Sequence, residues 1–388
     1  MSRSCCHVCE GTDMHLLYEM QSGLALTSLG ETYSAPTRVW ICRACSHAQT
    51  DEMAQVEQYY ADQYNILCAS EEEDQVYELR DARPVYRTEH QLAELQNKLS
   101  LATGARVLDY GCAKSSTMQA LQSVRADLQI HLFDVSESYR SFWARFLSEA
   151  CCATFKPKAE WAASFDLVTS FFALEHIVRP LETLQAIFQL VRPGGYFYCI
   201  VPNVTTNVAD FIVVDHVNHF TDLSLGHALR RVGFEVEEID ASSHRGAFIV
   251  LARRPQTMSN RLVGFELTDV HQRLEVFESI AAFWRCAADK VISFVDGLSA
   301  DRRIAIYGAG FYGSFITACL GGAERVTCFV DQNPFLQGRT LFGIPVVSPS
   351  ELDGTVDTLL VGLNPAYAER IVADIPAFKA RALRFFFL

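Results

Sequence analysis

The chain has 388 residues, 49% hydrophobic and 20% charged, with a formal net charge of −13. That length argues for about two to three domains with sizeable cores. The acidic balance argues against a nucleic-acid backbone as partner, because such affinity comes from Lys and Arg, although a single nucleotide needs only a local basic pocket. No run of about 18 apolar residues or basic-then-apolar leader is present, so no membrane partner and a cytoplasmic location are expected.

In that compartment the thirteen cysteines point to metal binding or plain burial rather than disulfides. Cys6-His-Val-Cys9 and Cys42-Arg-Ala-Cys45 form two matching knuckles, the second preceded by the strand-like Thr37-Arg-Val-Trp-Ile41. Four thiolates from Cys6, Cys9, Cys42 and Cys45 close a tetrahedral zinc shell, leaving no open position, so the Zn2+ is structural. Cys5 and His7 fit the spacing less well, and the competing reading is a set of buried free thiols.

Residues 1–70 are expected to hold this module and a tyrosine-rich connector, Gln58-Tyr-Tyr-Ala-Asp-Gln-Tyr-Asn65. Its tyrosines either cement two domains or, for Tyr64, close over a substrate. From about Glu71 to Leu99 the periodicity predicts a helix, with Glu71 to Asp74 on its solvated face.

A central domain over 71–255 is built around the stretch from Ala105 to Asn203. Short β-branched or aromatic runs end near Asp109, Asp134 and Ser170, with helix-like segments between, which means a parallel sheet with crossover helices. Ligands in such sheets sit beyond the carboxyl ends of the strands. Gly111 lets a ligand approach the backbone, and Asp134 is placed to accept hydrogen bonds from a ribose diol. Together they describe an adenosine site.

Leu108-Asp-Tyr-Gly111, Phe133-Asp134, Phe165-Asp166, Leu174-Glu-His176, Pro193-Gly-Gly195 and Val201-Pro-Asn203 stand in the order and spacing of one family. By these residues the chain resembles the class I S-adenosylmethionine-dependent methyltransferases. The resemblance implies a Rossmann-like core holding S-adenosylmethionine through Asp109, Gly111, Cys112, Asp134, Phe172 and His176. One departure is Ala113, where the family has a second glycine. Alanine loses easy access to positive φ, so a turn with negative φ is expected to receive the methionine tail there.

The order of zinc module, tyrosine connector, methyltransferase core and further αβ domain resembles the zinc-containing C-methyltransferases that act on nucleotide-linked ketosugars. That likeness implies a small-molecule nucleotide-sugar substrate. The loop after Asn203 runs through Asp215-His216-Val-Asn-His219-Phe-Thr221. It resembles a family loop reading Tyr-His-Glu-His and then Phe-Ser, but Val213 and Val214 replace the tyrosine and histidine.

To methylate carbon, a base must take a proton from the carbon beside a carbonyl, and neutral imidazole suits this near pH 7. His216 is the candidate base, Asp215 its orienter or a sugar ligand, with Tyr64 and His219 as further catalytic candidates. A hydroxyl or amine acceptor needs a similar base, so O- and N-methylation stay open. So does a non-catalytic scaffold with a degenerate core.

Residues 256–300 read as a helical linker, amphipathic from Arg261 to Leu298, with Leu262 and Phe265 among its apolar positions. The last domain, 301–388, opens with a strand into Gly308-Ala-Gly310-Phe-Tyr-Gly313, and Asp331 follows about 20 residues on, a dinucleotide-binding fingerprint. By resemblance this is a nucleotide-sugar-binding αβ domain in which Gly308, Gly310 and Gly313 contact substrate, as Asn203 does from the central domain, a bound NAD being the alternative. The fold class expected is α/β throughout, with two Rossmann-like domains behind a zinc module. The oligomeric state is not legible.

Overall fold

The computed structural model describes residues 5–20, 24–68, 70–80, 83–257, 267–322 and 324–388. The chain divides into two compact units. The first comprises Met1–His15, Ile41–Val204 and His216–Leu274, and the second Leu16–Trp40, Thr205–Asp215 and Glu275–Leu388. The four-cysteine segments thus belong to the central unit. The segments between them and around Val208 belong to the C-terminal one.

The first unit is built on seven strands: β1 (Arg106–Tyr110), β2 (Gln129–Asp134), β3 (Cys152–Thr154), β4 (Phe165–Phe171), β5 (Val191–Pro202), β6 (Glu235–Asp240) and β7 (Ala247–Arg253). Their order across the sheet is 3-2-1-4-5-7-6. β1 to β5 pair in parallel, and β7 runs antiparallel to both β5 and β6.

Alternate residues feed opposite cores. Leu108, Val168, Phe197 and Val250 enter one with Leu184, Ile187 and Leu229. Val107, Leu167, Tyr198 and Ile249 enter the other with Met118, Leu121 and Leu95. A sheet covered on both faces reads as continuous apolar strands. Cys6, Val8, Cys42 and Cys45 lie in the first of these cores, so the knuckles are packed as part of the domain.

The expected helix over Glu71 to Leu99 is corrected. Val76–Arg80 and Arg83–Tyr86 form an antiparallel pair, and only Arg87–Lys98 is helical. Pro84 lacks the N–H a helix interior needs, and the Tyr and Val residues around it favour strand. Glu71 to Asp74 therefore face no helix. Their segment is held by Lys114, whose Nζ donates to the carbonyls of Ser70, Glu71 and Glu73 at 3.2, 2.9 and 2.6 Å.

The second unit carries β8 (Ile304–Tyr307), β9 (Val326–Val330), β10 (Thr340–Leu341), β11 (Ile344–Val347), β12 (Thr358–Val361) and β13 (Arg384–Phe387). The order is 10-11-9-8-12-13, parallel except for the β10–β11 hairpin. The linker helix spans Leu267–Asp296, while Arg261, Leu262 and Phe265 lie outside the described residues. Trp284 of that helix is buried against Phe315, ring centroids 4.9 Å apart, and donates from Nε1 to Val208 O at 2.8 Å. Among the described residues no helix is long and apolar enough to cross a membrane.

Candidate functional site

β1 ends at a tight turn with three residues at positive φ: Gly111 at 71°, Ala113 at 45° and Ser115 at 59°. The expected negative φ at Ala113 is corrected. Hydrogen bonds hold the alanine in the left-handed region at a steric cost. Its N–H donates to Asp134 Oδ2 at 2.7 Å, and its carbonyl accepts from Trp143 Nε1 at 2.7 Å. Gly111 and Cys112 both donate to Phe133 O, at 2.9 and 3.1 Å.

Asp134 closes β2 and is buried, its other oxygen accepting from Ser136 N at 3.0 Å. Burial raises its pKa, opposed by those backbone amides. Asp109 lies deeper, 2% exposed, accepting from Ser115 Oγ at 2.8 Å and Thr169 Oγ1 at 2.9 Å. Burial pushes its carboxyl up to about 7 against those hydroxyls. Asp109 thus braces the turn from within, while Asp134 ties its amides. Cys112 is buried beside them, its thiol raised by burial.

At the end of β4, Phe172 sits at φ 53°. Beyond it a short 3-10 turn, Leu174–His176, presents two polar side chains. His176 Nδ1 meets Tyr60 Oη at 2.8 Å, and its ring lies 5.4 Å from those of both Tyr60 and Tyr64. The His216 ring stands edge-on to His176 at 4.6 Å, 87° between planes. One ligand atom from each of Glu175, His176 and His216 lies within 4.8 Å of the others. Tyr64, His176 and His216, remote in sequence, are therefore brought together.

Asn218 anchors this turn. Its Nδ2 donates to Leu174 O at 3.2 Å and Ile177 O at 2.7 Å, while its Oδ1 meets His7 Nδ1 at 3.0 Å and His47 Nε2 at 3.2 Å. One buried amide thus joins the cysteine knuckles to the His176 turn. His219, fully buried, pairs through its backbone with Ala48, and its Nε2 meets Thr50 Oγ1 at 2.7 Å. In the second unit Asp215 is fully buried, each of its oxygens accepting from Ser28, through N and Oγ, both at 2.6 Å. Asn203 is buried at the end of β5, its N–H bonded to Gly246 O at 2.9 Å.

The knuckle sulfurs fit a tetrahedral metal. Cys6 and Cys45 Sγ are 3.5 Å apart, as are Cys9 and Cys42 Sγ, against about 3.8 Å for thiolates around zinc. Val8 N and Gly11 N point at Cys6 and Cys9 Sγ at 3.5 and 3.4 Å, where amides stabilise thiolate charge. All four sulfurs lie within 4.8 Å of one another.

In the second unit Gly308 has φ 103°, and a Cβ there would meet Gly362 O at 2.3 Å. A Cβ on Gly313 would meet Gly308 O at 2.0 Å, whereas one on Gly310 would meet nothing within 4 Å. Ala309 N donates to Asp331 Oδ2 at 2.7 Å. Two of the three glycines are thus taken up by backbone packing. Gly310 alone leaves open space.

Residues not singled out from sequence include Tyr60, Arg87, Asn218 and His244. Tyr60 stands four residues from Tyr64 and Asn218 one from His219, but proximity in sequence gives no signal of direction. His244 carried a usable one: a loop histidine three residues before β7, beside the end of β5.

A methyltransferase-domain family model matches residues 85–239, and a C-methyltransferase C-terminal domain model matches residues 244–388. The chain is 26% identical over 187 residues to the ubiquinone biosynthesis O-methyltransferase of Aromatoleum aromaticum, covering 41% of this chain and 76% of that protein. The corresponding Pseudomonas fluorescens SBW25 protein is 29% identical over 119 residues, 27% of this chain and 47% of its own length. This chain therefore spans three quarters of one relative and about half of the other. Among solved structures, an S-adenosylmethionine-dependent methyltransferase from Mesorhizobium loti is 17% identical at a TM-score of 0.35, covering 42% of this chain and 98% of its own. By its two matched domains the chain belongs to the class I S-adenosylmethionine-dependent methyltransferases.

Proposed function

We propose that the chain transfers a methyl group to a carbon beside the keto group of a nucleotide-linked sugar, with His216 as base. The observation that carries this reading is the His216–His176 edge-on pair, backed by Tyr60, Tyr64 and Glu175. The C-methyltransferase C-terminal domain match favours carbon as the atom methylated.

S-adenosylmethionine, when bound, supplies an electrophilic sulfonium methyl; Gly111, Cys112, Asp134 and Phe172 are assigned to hold it, with Asp109 bracing the turn. His216 takes the proton from the α-carbon, and the electrons of the broken C–H bond pass into the enolate, whose α-carbon would take the methyl as its bond to sulfur breaks and the neutral thioether S-adenosylhomocysteine leaves. The proton stays on the imidazole, where His176 and its tyrosines orient the ring. Asp215 and His219, bonded to Ser28 and Thr50, act on this reading through the loop that carries His216. Asn203 is assigned a sugar hydroxyl of the acceptor and Zn2+ a structural place on the four cysteines, while Gly310 is assigned a phosphate within the second unit.

The test offers keto-sugar nucleotides with ¹³C-methyl S-adenosylmethionine and reads the product by NMR. A new C–CH3 resonance is expected. In D2O with S-adenosylhomocysteine the α-proton should wash out, and His216→Gln should abolish that exchange; undiminished exchange would remove its role as base. A second reading, O-methylation, is favoured by the names of the curated relatives and would give an O–CH3 signal instead.

A further inference from the structure

Arg87 has no part in the reaction so far described. It opens the helix Arg87–Lys98. One turn on, buried Gln91 accepts through Oε1 from Thr117 Oγ1 at 2.8 Å, and Thr117 is the second residue of the helix Ser116–Val124 that leaves the Gly111 turn. Residues four apart share a helix face, so Arg87 lies on the face turned toward that helix, one turn upstream. Its guanidinium covers the Phe172 ring at 5.1 Å. The next residue, Ala173, closes on Gly111, whose added Cβ would meet the Ala173 Cβ at 2.9 Å.

A guanidinium carries five donors. Among the described residues none of them reaches a hydrogen-bond acceptor. Burial lowers the pKa of Arg87, opposed by the charges of Asp74 and Glu175. A partly buried cation without hydrogen bonds is costly unless a ligand completes it.

His244 supplies the complement. It is 5% exposed, and its ring lies 5.5 Å from the same Phe172. Nδ1 is 3.0 Å from Arg245 O; a carbonyl only accepts, so the proton is on Nδ1 and Nε2 is a bare acceptor. That Nε2 is buried with no partner among the described residues. Burial, with His90, Arg87 and Arg245 nearby, pushes its pKa down to about 3, so the ring stays neutral.

A donor cation and a bare acceptor flanking one aromatic ring match an α-amino-acid zwitterion, whose carboxylate accepts and whose ammonium donates. We infer that Arg87 and His244 hold the amino-acid end of S-adenosylmethionine, Arg87 donating to the α-carboxylate and His244 Nε2 accepting from the α-ammonium. The inference rests on the methyltransferase reading and adds two residues to the cofactor site.

Calorimetry on the full chain with two probes tests it: S-adenosylhomocysteine, and 5′-methylthioadenosine, which lacks the amino-acid end. Arg87→Gln should weaken S-adenosylhomocysteine about 10- to 100-fold, as loss of a charge-assisted pair does, and leave 5′-methylthioadenosine within about twofold. His244→Phe, which keeps an aromatic ring, should cost about tenfold on the first probe alone, the scale of a lost hydrogen bond to a charged group. Unchanged affinity in either variant, or equal loss of both probes, overturns the assignment of that residue. Should Arg87→Gln not fold, Arg87→Lys is read instead, and an affinity loss shared by both probes counts against Arg87. A parent chain that binds neither probe sinks the methyltransferase reading itself, a result distinct from all of these.

Discussion

Two glycine turns in one chain follow a common plan and diverge in what they ask of their residues. Both leave a parallel strand, Tyr110 into Gly111 and Tyr307 into Gly308, and both end with a backbone amide on the acid closing the next strand, Asp134 or Asp331. In the second turn the glycines are dictated by contact, because Gly308, Gly313 and Gly362 bring three backbone segments closer than any side chain allows. In the first, non-glycine residues are forced into left-handed conformations, and a buried acid, Asp109, stands where the second has Ile306. Strain held by a surrounding network agrees with the proposal that this turn holds the cofactor. Absence of side chains for close packing marks one shaped by the fold.

The largest effect should come from the packed turn. Gly313→Ala puts a Cβ 2.0 Å from Gly308 O and should cost more than about 3 kcal/mol, the range of severe core clashes. Gly310→Ala, in open space, should stay within about 1 kcal/mol. Denaturant unfolding checks both, and similar losses at the two positions would erase the distinction drawn here.

Next in size is the acid pair. Asp134→Ala removes the acceptor of Ala113 N and Ser136 N and should weaken S-adenosylhomocysteine about 10- to 100-fold by unpinning the turn and losing the proposed ribose contact. Asp331→Ala should leave that affinity unchanged. If calorimetry finds the reverse, the adenosine site belongs to the other turn.

Asp109 gives a pH test. Its folded pKa, about 7 through burial, lies above the ordinary 3.8, so the folded state favours the protonated acid. The stability this contributes is full below pH 3.8 and is lost as pH rises through 7. Asp109→Asn keeps the shape without the titration. Thermal melts should show the parent losing on the order of 2 kcal/mol more than the variant between pH 5 and pH 8. Parallel profiles would mean that Asp109 does not titrate in this window.

Much of this was legible in the chain and some of it was not, for a physical reason in each case. Strands buried on both faces announce themselves, as Val107-Leu108 and Leu167-Val168 do, and a glycine or acid at the strand end locates the turn. The helix over Glu71 to Leu99 was misread because Tyr, Leu and Val spacing suits either period over a short run. That reading put Arg87 mid-helix, away from a ligand. Asn218 joins His7 and His47 to the Leu174–His176 turn across sequence separations of 211 and 171 residues. No local pattern encodes such a bond. Ser28 likewise holds Asp215 from 187 residues away, within a unit assembled from three separate stretches.

The smallest predicted effect is the sharpest test of the strained turn. Ala113 holds φ at 45° through one hydrogen bond at its N–H and one at its carbonyl. Glycine adopts that φ without the Cβ clash, which costs an L-residue about 1 to 2 kcal/mol, but it also has more conformational entropy to lose on folding, about 0.5 to 1 kcal/mol. Ala113→Gly should therefore stabilise the chain by up to about 1.5 kcal/mol, the difference of those terms. Both hydrogen bonds involve backbone groups of residue 113, so the geometry offered to the cofactor should persist and S-adenosylhomocysteine affinity should be unchanged. A stabilised variant with weaker affinity would mean the alanine methyl itself touches the ligand. A destabilised one would mean the turn relaxes away from φ 45° once glycine gives it the freedom, and that the alanine, unlike Gly308 and Gly313, is there to limit that freedom.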